Sequence, residues 1–169
     1  MASIPVHMAA WTPAGLFMGL VPTIIRDLPA LHSGLLTGAT AFVQPAAAAM
    51  AGLSLGRLPP RRTVAVGGTG VLLGTAVNMA CVATATLPLL WVGGLIGGVG
   101  VGASFSGALR TITPLAQPHQ RAGLFAAVYL VTYLSFVVPA IIAGLLITPL
   151  GLLDSVLGYG IAIIATAAL

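Results

Sequence analysis

Thr63 to Leu109, TVAVGGTGVLLGTAVNMACVATATLPLLWVGGLIGGVGVGASFSGAL, contains no charged side chain. A helix that crosses a bilayer needs roughly 20 apolar residues. The stretch is long enough for two such helices, and Leu87-Pro88 marks the turn between them. Strands of a membrane barrel would alternate apolar and polar residues over about ten positions. Here the runs are uniformly apolar and much longer, so the stretch reads as a helical hairpin in lipid.

The same pattern extends outward in both directions. No charge occurs between Asp27 and Arg57, or between Arg121 and Asp154. The whole chain of 169 residues is 59% hydrophobic and 5% charged, with six Arg, two Asp, and neither Lys nor Glu. Its mean hydropathy is +1.13. A soluble domain carries about 25% charged residues, and so few charges cannot cover a water-facing surface. In lipid every backbone N–H and C=O must be paired internally, which leaves helices as the spanning element. The expected fold is an all-α membrane protein, a single domain over 1–169 with about six transmembrane helices. The expected spans are 8–25, 34–55, 63–85, 88–109, 122–147 and 151–169. Breakers separate them: Leu28-Pro29, Pro59-Pro60, Leu87-Pro88, Pro114 with Pro118, and Pro149. The start, Met1 to His7, lacks the basic n-region of a secretory signal.

Arginine distribution sets the expected orientation. Arg57, Arg61 and Arg62 fall in the second loop, and Arg110 and Arg121 bracket the fourth. Arg26 lies on the other side, beside Asp27. The basic loops are therefore expected in the cytoplasm, next to anionic headgroups, with both termini on that side. Trp11 and Trp91 read as interfacial anchors.

Glycines four residues apart let helix backbones approach closely in lipid. Gly15 and Gly19, Gly70 and Gly74, and the series Gly94, Gly98, Gly102 have this spacing. They are expected to serve packing, bending or sliding.

Enzyme chemistry finds little footing. Two Asp, three dispersed His and the lone Cys81 do not form a metal site, and no cofactor is expected. Gly102-Ala103-Ser104 lacks a His on another helix at the same depth, which an intramembrane serine nucleophile needs. The glycine run Gly93–Gly102 lacks the Lys-Ser/Thr of a phosphate-binding loop. The high pI of about 10.3 is explained by topology, so nucleic acid is not an expected partner. Inside the spans the polar candidates are Gln44, beside Pro45, then Ser104 and Ser106, then Tyr129 and Tyr133. The last two belong to a stripe with Phe125, Thr132 and Phe136 at helical spacing. These are the candidate substrate-lining residues. Asn78 is mid-span as well, with helix packing as its expected role. No acid or His is expected at membrane depth, so no proton carrier is evident in this chain.

Several segments together resemble the major facilitator superfamily, in particular its C-terminal six-helix half and its bacterial small-molecule and drug-efflux-like members. Gly52-Leu53-Ser54-Leu55-Gly56-Arg57-Leu58-Pro59-Pro60-Arg61-Arg62 is similar to that family's G-x-x-x-D-R-x-G-R-R/K loop. Gly56 stands where the family has an acid and Pro59 where it has glycine, so the charge-relay role does not carry over. Gly94 to Gly102 is similar to the R-x-x-x-G-x-G-x-G helix, with Gly94 replacing the arginine tied to proton coupling. Pro139 and Gly144 are similar to a proline-glycine motif of antiporter-type members. Gly15 to Asp27, with Pro22, resembles the opening span of the second half. The resemblance covers essentially the whole chain. It implies two inverted three-helix repeats and half of a facilitator-type fold. It implies a secondary transporter moving a small organic solute by alternating access in the inner membrane. In that family Gln44 and Tyr129 to Tyr133 would lie on helices that border the central cavity. Leu169 ends the last span without a polar tail, which reads as a cut end. The expected partners are therefore the bilayer, a solute, and a missing N-terminal six-helix half or a second copy. The alternative is a non-transporting membrane subunit that binds other helical proteins.

The orientation is open to direct measurement. Single cysteines at Gly56→Cys or Pro60→Cys in intact cells should resist an external impermeant maleimide, and Asp27→Cys should react. Labelling of the first two from outside would reverse the assignment.

Overall fold

The structure, a computed structural model, describes residues 11, 12, 14, 15, 17, 18, 34–84, 86–151, 154, 155 and 157–161. Among them there is no strand. Four long helices follow one another: α1 (Gly34–Ser54), α2 (Pro60–Thr84), α3 (Leu87–Ile112) and α4 (Arg121–Leu150). Together with their flanking turns, all four are long and apolar enough to cross a membrane. Large apolar side chains point outward, among them Leu35, Phe42, Leu53, Leu73, Leu130, Leu134, Ile141 and Leu145. An exterior of this kind belongs in lipid, and the chain is an integral membrane protein.

The four helices match the four central expected spans, with ends that move for local reasons. The α1 helix tightens into a 3-10 turn at Leu55–Arg57 before Pro59, which has no N–H to continue it. The α2 helix opens on Pro60, where a missing N–H costs nothing. Arg61 and Arg62 therefore ride on the first turn of α2, a correction to their expected place in the loop. Pro139 and Pro149 both lie inside α4. The turn expected at Pro149 is made instead by Gly151, in the left-handed region at φ 84°, where a residue without Cβ is favoured. The expected spans 8–25 and 151–169 fall largely outside the described residues. Their described parts are helical, as far as Met18 in one and from Asp154 to Ile161 in the other, Gly151 itself being non-helical.

The α3 helix is the most enclosed and α4 the least. Two glycine rows make α3 the centre. On one row a Cβ added to Gly98 would lie 2.8 Å from the Ala47 Cβ, and one on Gly102 2.8 Å from the Ala48 Cα. Gly94 meets Val43 and the Phe17 ring. Residue numbers rise together on α1 and α3, so these two helices run parallel. On the other row Gly93 meets Asn78, Gly97 meets Gly74, Gly100 meets Gly70 and Val71, and Gly107 meets Val64. Here the numbers run in opposite senses, so α2 is antiparallel to α3. Trp91 Nε1 donates to Thr40 Oγ1 at 3.0 Å and joins the early turns of α1 and α3.

A second set of contacts holds α4. Pro139 cannot donate to the carbonyl four residues earlier, that of Ser135. Thr12 Oγ1 donates to that carbonyl at 3.3 Å. Tyr159 in turn donates to the Thr12 carbonyl at 3.0 Å, and Gly15 packs on the Phe136 backbone. Residues near the start of the chain thus tie α4 to residues near its end. Gly94, Gly98 and Gly102 lie in the α1–α3 seam. Among the described residues nothing lies within 4 Å of a Cβ added to Gly144, which sits on an exposed side of α4.

This packing ranks substitutions. Gly98→Ala and Gly102→Ala should each lower unfolding free energy by about 1–3 kcal/mol through overpacking. Gly123→Ala and Gly144→Ala meet open space and should be neutral or stabilising by up to about 1 kcal/mol. Circular dichroism during sodium dodecyl sulfate titration in mild detergent gives the comparison. The reverse ranking would contradict the two-row arrangement.

Candidate functional site

The stripe expected on the fifth span lies on α4, and spacings of three and four place its members on one face. Tyr129, Thr132, Tyr133 and Phe136 line a cavity of about 230 Å3, completed by Phe105 of α3 and by Trp11. Phe125, half-buried, is not part of the lining. The rings form a continuous chain. Trp11 meets Phe105 edge-on at 5.5 Å between centroids and 84° between planes. Phe105 meets Tyr129 at 6.1 Å, and Tyr129 meets Tyr133 at 6.5 Å. Edge and offset geometries are the favourable ones for ring quadrupoles.

Polarity at the cavity is confined to a few groups. The Thr132 hydroxyl donates back to the Val128 carbonyl at 2.8 Å. Tyr129 and Tyr133 are both exposed at the cavity mouth, and each phenol both donates and accepts. An apolar wall with a few placed hydroxyls suits a small amphipathic or aromatic molecule.

The other expected lining residues lie elsewhere. Gln44 is buried in the seam between α1 and α3, its backbone against Gly98 and its amide nitrogen beside Gly97. Ser104 is buried against Gly67 in the α2–α3 seam. Ser106 is half-buried and does not line the cavity. Among the described residues, both amide atoms of Gln44, Thr75 Oγ1, Asn78 Oδ1 and Ser104 Oγ have no hydrogen-bond partner. These groups follow the glycine rows of α3, where close backbone approach encloses them.

The basic residues gather at one end. Arg57, Arg61, Arg62 and Arg121 are exposed. Arg110 is half-buried, and its guanidinium donates to the Leu58 carbonyl at 2.8 Å and the Leu55 carbonyl at 3.5 Å. It fastens the α1–α2 loop to the last turns of α3, a role beyond topology. Cys81 is buried, and its thiol donates to the Thr86 carbonyl at 3.3 Å. Among the described residues no three of His, Cys, Asp and Glu come together.

Trp11 and Phe105 were not expected at the cavity. The signal for Phe105 is a ring between Ser104 and Ser106, directly after the glycine-rich stretch Gly93–Gly102. Trp11 reads as an anchor until the path of the first segment is known. Comparison with protein-family models, with curated proteins and with solved structures finds no match.

The seam placement of Gln44 has a measurable consequence. Gln44→Leu replaces an unpartnered amide by an apolar group of similar size and should raise stability by about 1–2 kcal/mol. It should leave ligand binding in the aromatic cavity unchanged. Loss of stability would mean that the amide is partnered in the membrane.

Proposed function

We propose that this protein carries a small amphipathic organic solute across a membrane by alternating access, as one six-helix half of a facilitator-type secondary transporter. The observation that carries this reading is the aromatic cavity between α3 and α4, with Tyr129, Thr132 and Tyr133 on its wall. It lies within helices built for lipid, as a solute site between spans requires. The smooth glycine rows on α3 add support, because packed helices without interlocking side chains shear at low cost. The similarity of the Gly52–Arg62 and Gly94–Gly102 segments to facilitator signatures is a further argument. In this reading the chain has two inverted three-helix repeats and works in the bacterial cytoplasmic membrane. Arg57, Arg61, Arg62, Arg110 and Arg121 face the cytoplasm with both termini. A second six-helix half, or a second copy, completes the central cavity. The coupling ion is carried by groups outside this chain.

A non-transporting interaction module is the second reading. The observation in its favour is the apolar, outward face of α4, with Leu130, Leu134, Val137 and Ile141 exposed.

Trp11 supplies a built-in reporter. In a Trp91→Phe background, small aromatic amphiphiles should quench its fluorescence. Tyr129→Ala with Tyr133→Ala should weaken their binding about tenfold, since each ring pair is worth about 0.5–1.5 kcal/mol. Counterflow of the same solutes into liposomes, by the chain alone or with a six-helix partner, separates carrier from module. Absence of counterflow in both preparations would sink the transport reading.

A further inference from the structure

We propose that the basic end of the bundle binds an anionic phospholipid, headgroup among the arginines and one acyl chain in the groove where α3 hands over to α4. Two independent features meet there. The first is charge. Arg57, Arg61, Arg62 and Arg121 are all exposed at this end. Among the described residues, the one acid belongs to the opposite end. Asp154 follows the far end of α4. Among the described residues, no carboxylate lies at the arginine end to neutralise these guanidinium groups. Arginine presents a planar donor fork that matches phosphate oxygens.

The second feature is the groove. Ile112, Leu115, Ala116, Gln120 and Leu124 line an open groove of about 390 Å3. Leu115 is 82% exposed on its rim. Arg121 follows Gln120 directly in the chain, so the cationic and apolar parts adjoin. Arg110 brings in the rest, because its bonds to the Leu55 and Leu58 carbonyls hold Arg57 against the end of α3. The Arg110 charge is engaged with those carbonyls, which leaves the four exposed arginines for the ligand.

Each feature alone would select a different ligand. The arginines alone would accept any small anion, and the groove alone any lipid tail. Joined, they favour a molecule with a phosphate of net negative charge and an acyl chain. A zwitterionic lipid brings an ammonium group into the arginine cluster and is disfavoured there.

The test uses the full chain in detergent, with native mass spectrometry to count retained lipid against added phosphatidylglycerol or phosphatidylcholine. Phosphatidylglycerol should be retained at least tenfold better. Arg57→Gln with Arg121→Gln should lower its retention about 25-fold, near fivefold for each arginine. The Lys replacements at both positions keep the charge without the fork and should retain more than the Gln pair but less than the native chain. Leu115→Asn with Leu124→Asn should weaken phosphatidylglycerol while leaving the number of exposed arginines intact. Millimolar inorganic phosphate should not displace the lipid. Equal retention of the two lipids would overturn the proposal, and so would displacement by phosphate alone. So would full retention by the Leu115→Asn, Leu124→Asn variant, which would leave a surface charge effect without a site. None of these outcomes depends on solute transport.

Discussion

Where α3 meets α1 and α2, backbones touch because no side chain intervenes. In water, burying apolar surface would drive helices together. In lipid that drive is absent, and dispersion between closely fitted surfaces takes its place. Fit therefore has to come from the backbone itself. Gly94, Gly98 and Gly102 give α3 one flat track, and Gly93, Gly97, Gly100 and Gly107 give it another. Both seams, and the enclosure of Gln44 and Ser104 within them, depend on these two tracks. The cavity wall depends on them indirectly, since Phe105 is carried by the same helix.

The fourth helix is held differently. It carries large exposed apolar side chains, and among the described residues directed bonds from Thr12 help to fix its position. The Ser135 carbonyl loses its intrahelical donor because position 139 is proline, and Thr12 supplies the replacement. An unpaired carbonyl is costly at membrane depth. The proline thus gives α4 a specific docking point for a segment more than a hundred positions earlier in the chain. Tyr159 extends the tie by bonding the Thr12 carbonyl.

Much of the helix layout was legible before any coordinates. The solvent imposes one simple demand, so charge-free runs mark α1 to α4 within a few residues of their observed ends. The glycine repeats at Gly70, Gly74 and Gly94 to Gly102 also pointed at the contacts they make. Other residues were less readable, for a physical reason. A polar side chain in a span has to be shielded from lipid, but periodicity does not say which neighbour shields it. Gln44 and Ser104 could have faced a cavity and instead face glycines. Among the described lining residues, only α4 contributes a patterned stripe; Trp11 and Phe105 reach the cavity from other elements. Pro139 and Gly144 look alike as helix-bending residues, yet one frees a carbonyl that Thr12 takes and the other meets open space.

The glycine tracks also bear on how this gene can change. Every first- or second-position nucleotide change in a glycine codon that keeps the frame open introduces a residue with at least a Cβ. Along α3 such an atom would run into helix backbone at Gly98, Gly100 and Gly102. No conservative missense step exists at those codons, whereas Gly123 and Gly144 can drift. Third-position substitutions remain silent throughout. The centre of the bundle is thus the part of the reading frame where neutral variation is confined to synonymous sites.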